Sequence, residues 1–112
     1  MLRHLMAGMA KDCGMDAEGI ADVRLAVTEA ATNAVIHAYA MAEGDLRVTA
    51  AMQDGELAIV IGDTGPGLVE RRDSPGLGVG ISVIASVAER LKIVSHPGGT
   101  EIQMTFPCPN AE

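Results

Sequence analysis

Residues 62–80 read Gly62-Asp63-Thr64-Gly65-Pro66-Gly67-Leu68-Val69-Glu70-Arg71-Arg72-Asp73-Ser74-Pro75-Gly76-Leu77-Gly78-Val79-Gly80, six glycines and two prolines in nineteen positions. Neither a helix nor a strand tolerates that density of breakers, so the stretch is one long loop. Its flanks set the fold class. Ahead of it runs Leu57-Ala58-Ile59-Val60-Ile61, a continuous apolar segment suited to a strand deep in a sheet. Behind it Ile81, Ile84, Ala88 and Leu91 recur at three and four residues, which predicts a helix leaving the loop directly.

Ahead of that strand, Leu46, Val48, Ala50 and Met52 alternate with Arg47, Thr49, Ala51 and Gln53, the pattern of a strand with one buried face. Asp54-Gly55 then favours a two-residue hairpin turn with positive φ. Upstream, Leu2, Leu5, Met6, Met9 and Cys13 form a helical stripe that Gly14 ends, and Asp16 is a candidate N-cap for a second helix. That helix carries Ile20, Val23, Val27, Ala30 and Ala34 on its apolar face and runs to about Tyr39, with Gly44 as a stop beyond it. Residues 92–95 and 100–106 read as a closing strand pair around His96-Pro97-Gly98-Gly99. The order ααββ, loop, αββ predicts a two-layer α/β sandwich: a mixed sheet of about four strands covered on one face by three helices. Residues 1–112 contain no internal repeat and no linker, so a single domain is expected.

Composition narrows the function. The chain is 48% hydrophobic but only 2% aromatic, which leaves no stacking platform for bases. Fifteen acids against eight Lys and Arg give a formal charge of -7, which argues against direct nucleic-acid contact and against anionic membranes. With no apolar run of membrane-spanning length and no signal-peptide pattern, a cytoplasmic protein is expected. Cys13 and Cys108 lack metal-ligand spacing and, on that expectation, are two reduced thiols.

Three features bear on chemistry. Glu29, Asn33 and His37 lie four apart and form a polar ridge beside the apolar face of the second helix, although a solvated helix edge accounts equally well for them. Asp63-Thr64-Gly65-Pro66-Gly67 is a turn-forming segment whose Asp can bond its own backbone. Gly76-Leu77-Gly78-Val79-Gly80 opens into a helix, where free N–H groups and the dipole attract an anion and glycines let a phosphate approach. No strand leads straight into that run and no Gly-Lys-Ser/Thr follows it, which disfavours the dinucleotide and P-loop folds. Ser82, His4 and His96 are expected to be structural or surface residues.

Taken together in order, Glu29-Ala30-Ala31-Thr32-Asn33-Ala34, Asp63-Thr64-Gly65-Pro66-Gly67, Gly76-Leu77-Gly78-Val79-Gly80 and Gly98-Gly99-Thr100 resemble the motifs of the GHKL ATP-binding superfamily and its Bergerat fold. The segment from Thr28 to Tyr39 is most similar to bacterial anti-sigma-factor serine/threonine kinases. The resemblance implies ATP and Mg²⁺ as cofactors, with Asn33 as the ligand to the Mg²⁺ that bridges the phosphates and Glu29 as the base facing the attacking hydroxyl. It implies that Asp63 accepts a hydrogen bond from the adenine amino group, supported by Thr100, with Gly65 and Gly67 shaping the turn beneath the base. Gly76, Gly78 and Gly80 would wrap the phosphates.

The family's usual first strand has no counterpart ahead of the first helix, so a truncated or minimal version is expected, and a homodimer is left open. The lid at residues 69–75 is short; its Arg71-Arg72 pair is either solvated charge or a guanidinium source for the β- and γ-phosphates. The function implied is an anti-sigma regulatory factor that sequesters a sigma factor and phosphorylates an anti-anti-sigma-type antagonist. The alternatives are a non-catalytic ATP-dependent protein-binding switch and a catalytic fragment of a sensor histidine kinase.

Overall fold

A computed structural model describes residues 2–40, 46–63, 77–96 and 99–110 of the chain. The elements follow the expected order: α1 (Leu2–Asp12), α2 (Ala17–Ala40), β1 (Leu46–Gln53), β2 (Glu56–Asp63), α3 (Leu77–Val87), β3 (Arg90–His96) and β4 (Gly99–Pro107). Gly14 ends α1 with φ +84°, and a Cβ there would stand 2.9 Å from the Asn110 side chain. The Gly19 N–H donates to Asp16 Oδ1 at 2.8 Å, the N-cap that starts α2. Asp54 and Gly55 have φ of 55° and 77°, as a tight turn with two positive φ values requires.

The strands lie in the order β1-β2-β4-β3, and every pairing is antiparallel. A mixed sheet was expected, and the difference has a topological cause. The α3 crossover brings β3 back parallel to β2 but one place too far away to pair with it, and β4 then turns between the two, antiparallel to both. Leu57, Ile59 and Ile61 of β2 and Ile102, Met104 and Phe106 of β4 point to one face and are buried there. Against that face pack Val23, Ala26, Val27 and Ala30 of α2, Ile84 of α3, and Met6 and Ala10 of α1. With few aromatics available, aliphatic and Met side chains fill the core.

Three expectations on the ends of elements change. Leu5, placed on the buried stripe of α1, is 61% exposed, while Ala10 is buried in its place. Leu91 belongs to β3 rather than to α3, which ends at Val87; its alternation with Ile93 in the strand overrides its helical spacing from Ala88. Cys13 and Cys108, expected as separate thiols, are joined by a disulfide with Cα atoms 4.7 Å apart. The fold brings the end of α1 and the segment after β4 to one place, where Asn110 donates from its backbone N–H to the Cys13 carbonyl and from Nδ2 to that of Asp12. Among the described residues no helix is long and apolar enough to cross a membrane.

Candidate functional site

The two ends of the sandwich can be told apart by what meets there. At one end the first turns of α2, including Gly19 and Asp22, stand beside Val87 at the close of α3 and Phe106 near the end of β4. From Gly19, α2 runs toward the other end; Asn33 lies fourteen residues on, about 21 Å at the helical rise. Moving from Phe106 back to Thr100 along β4 covers about 20 Å. Thr100 is the register partner of Asp63, the last residue of β2. α2 closes at Ala40, six positions before Leu46, and Leu46 pairs with Asp63, so the close of α2, the end of β2 and the start of β4 lie toward one end of the molecule. α3, whose last residue lies at the opposite end, starts toward it.

Glu29 is half-buried on α2, next to the fully buried Ala30. Asn33 and His37 follow at four-residue steps, so their backbone positions share its side of the helix. The neighbouring Thr28 hydroxyl is turned away onto its own helix, donating to the Arg24 carbonyl at 2.7 Å. Thr100 is 3% exposed, the one buried polar residue among those described. The glycines divide. Gly65, Gly67 and Gly76, like Arg71 and Arg72, lie outside the described residues. Gly78 and Gly80, expected in the loop, form part of the first turn of α3, and Gly80 is buried. A helix leaves its first four N–H groups without an intrahelical acceptor, so starting the helix at Leu77 keeps those donors and aligns them with the dipole. Glycine costs about 1 kcal/mol against Ala in a helix interior, which is why these residues read as loop, whereas the first turn of a helix can take them.

Among the described residues no cluster of three or more His, Cys, Asp or Glu could hold a metal. A bound divalent cation at this end would rely on one or two oxygen ligands from the protein, with phosphate oxygens and water supplying the rest. An Asn amide oxygen suits that scheme for Mg²⁺.

The chain belongs to the histidine kinase-like ATPase domain family, whose model matches residues 1–106. The domain's nucleotide is ATP. Within the family, the chain is similar to the anti-sigma F factor of Clostridium acetobutylicum, at 34% identity over 91% of this chain and 80% of that protein. It is also similar to the serine-protein kinase RsbW of Bacillus thuringiensis, at 34% identity over 58% of this chain and 41% of that protein. Among solved structures, the histidine kinase domain of the blue-light activated histidine kinase of Erythrobacter litoralis superposes with a TM-score of 0.69 at 26% identity. That match covers 81% of this chain but 48% of the larger domain, so the chain spans about half of it.

Proposed function

We propose that this chain is an ATP-dependent anti-sigma regulator of the cytoplasm, which sequesters a sigma factor and transfers the γ-phosphoryl group of ATP to a serine of an anti-anti-sigma-type antagonist. What supports the reading is the one-turn spacing of Glu29 and Asn33 along α2, together with the pairing of Asp63 with Thr100 where β2 ends and β4 begins. The likeness to an anti-sigma F factor over nearly the whole chain and to a serine-protein kinase over part of it supports the same reading.

In this scheme Asp63 accepts from the adenine amino group, Thr100 supports that contact, and Gly65 and Gly67 shape the turn beneath the base. The N–H groups at the start of α3, with Gly76, Gly78 and Gly80, hold the phosphates. Asn33 would hold Mg²⁺, which supplies charge neutralisation on the β- and γ-phosphates. Glu29 orients the serine hydroxyl of the antagonist and takes its proton. As the serine oxygen forms its bond to Pγ, the bond from Pγ to the bridging oxygen breaks and ADP leaves with that electron pair. A Cys13–Cys108 bond with both residues fully buried is shielded from thiol reductants in the compartment proposed.

A pull-down from native lysate with and without ATP identifies the partners, and a phosphotransfer assay with the captured antagonist then tests the reading. Phosphoserine on the antagonist is the expected result. Nucleotide-dependent capture without phosphoserine would replace the kinase with a binding switch.

A further inference from the structure

The end of the sandwich opposite the nucleotide site carries a groove that the ATPase reading does not use. Its volume is about 530 Å³, within the range of roughly 300–1,000 Å³ common for ligand sites. Half-buried Met15, Val87 and Ala88 and exposed Pro107 form apolar walls over the buried ring of Phe106. Asp16, Glu18, Asp22 and Glu89 stand on the same lining, which contains no Lys, Arg or His. The nearest basic neighbour in sequence, Arg90, is already committed: its Nη2 lies 2.7 Å and 2.6 Å from the two carboxylate oxygens of Glu56. The N-terminus of α2 contributes only about half a positive charge, part of which the Asp16 cap already takes up, so four acidic side chains outweigh it. One wall is also fixed covalently, since Gly14 on one side and Pro107 and Pro109 on the other flank the bonded Cys13 and Cys108. A wall set before binding lowers the ordering cost of taking up a ligand.

We propose that this groove docks a cationic segment of a partner protein, one with Lys or Arg on either side of an aliphatic or aromatic side chain that enters between Met15 and Val87. The charge of the lining selects that occupant. A second copy of the chain is disfavoured by its own formal charge of -7. Because the groove and the Asp63–Thr100 end are about 20 Å apart along β4, docking and nucleotide binding can occur together. The proposal therefore stands whether or not the chain is a kinase.

The probe is a synthetic hexapeptide with two lysines on each side of Leu-Phe, titrated at low ionic strength against the full chain labelled for amide NMR. An otherwise identical peptide with glutamates and the polyamine spermine serve as controls. Shifts confined to residues 14–22, 87–89 and 106–109 are expected. Asp22→Asn with Glu89→Gln should weaken binding roughly three- to tenfold, whereas removing the same charge elsewhere by Asp45→Asn with Glu101→Gln should change it by less than about twofold. Asp16 is left intact because it caps α2. Thermal melts of both double variants confirm that the fold is retained, and single Glu89→Gln, at an exposed position, substitutes if the pair fails. Equal weakening by the control pair, shifts spread over the surface, equal binding of the glutamate peptide, or spermine binding as tightly as the peptide would each overturn the proposal.

Discussion

Asp63, at the end of β2, and Thr100, near the start of β4, are direct partners across the antiparallel ladder although thirty-seven positions separate them in sequence. Paired Cα atoms in such a ladder lie about 4.5–5.5 Å apart. A carboxylate aimed at the adenine amino group would face a carbonyl oxygen in guanine, setting two acceptors against each other. ATP should therefore displace a labelled nucleotide far more readily than GTP. Asp63→Ala should cost about 1–3 kcal/mol of ATP binding by calorimetry, and Thr100→Val, which removes a hydroxyl at nearly constant volume, a smaller part of that. Equal competition by GTP would remove Asp63 from the adenine site.

Asn33 should act through the metal. The chain carries a formal charge of -7, so a triphosphate approaching it needs neutralisation from outside the protein. Chelating Mg²⁺ should weaken ATP binding by the parent protein strongly. The same treatment should change Asn33→Ala much less, because that variant has already lost the ligand. A variant with parental, Mg²⁺-dependent affinity would remove Asn33 from the metal.

The sequence exposed this fold unevenly, for physical reasons. The Asp54-Gly55 hairpin and the Asp16 cap are local devices, decided by backbone conformation and one side chain, and both stand where the residues put them. The antiparallel sheet was hidden because the place of β4 between β2 and β3 follows from how a crossover docks, which no window of residues records. Leu5 was misread for a related reason: its spacing suits the stripe, but packing against α2 is made through Met6, Ala10 and Cys13. The Glu29–Asn33 ridge was visible as a spacing, yet its approach to Asp63 and Thr100 rests on motif resemblance and on the direction in which α2 runs from Asp16.

Glu29 should separate catalysis from binding. A base beside the attacking hydroxyl contributes mainly in the transition state, typically about 10²–10⁴-fold. Glu29→Gln preserves shape and removes the base, so ATP affinity should remain within error while phosphate transfer to the captured antagonist falls by that factor. Transfer at the parental rate would show that Glu29 is not the base.

The Arg71-Arg72 pair lies outside the described residues, and its test is a nucleotide comparison. If a guanidinium meets the terminal phosphates, Arg71→Ala with Arg72→Ala should weaken ATP binding more than ADP binding, since ADP lacks the γ-phosphate. Equal losses, or none, would leave the phosphates to the amides at the start of α3 and the glycines before them.

Stability should depend on the far end of the molecule. The Cys13–Cys108 bond closes a loop with a sequence separation of 95, and chain-entropy reasoning places such a cross-link near the upper part of the usual range, about 2–5 kcal/mol. The bond also holds Asn110 over the end of α1, where its two hydrogen bonds satisfy the carbonyls of Asp12 and Cys13. Cys13→Ser should therefore lower the denaturation midpoint by an amount equivalent to most of that range. Reduction of the parent protein, with opening of the buried bond at high denaturant, should give the same midpoint. Gly14→Ala should destabilise the oxidised protein independently, because it meets both an unfavourable φ of +84° and the Asn110 amide at 2.9 Å. Free-thiol titration under denaturing conditions checks the bond itself: no reactive thiol is expected before reduction and two afterwards. Two thiols before reduction would remove the cross-link, and any stability of this corner would then come from Asn110 and the packing of Met6 and Ala10 alone.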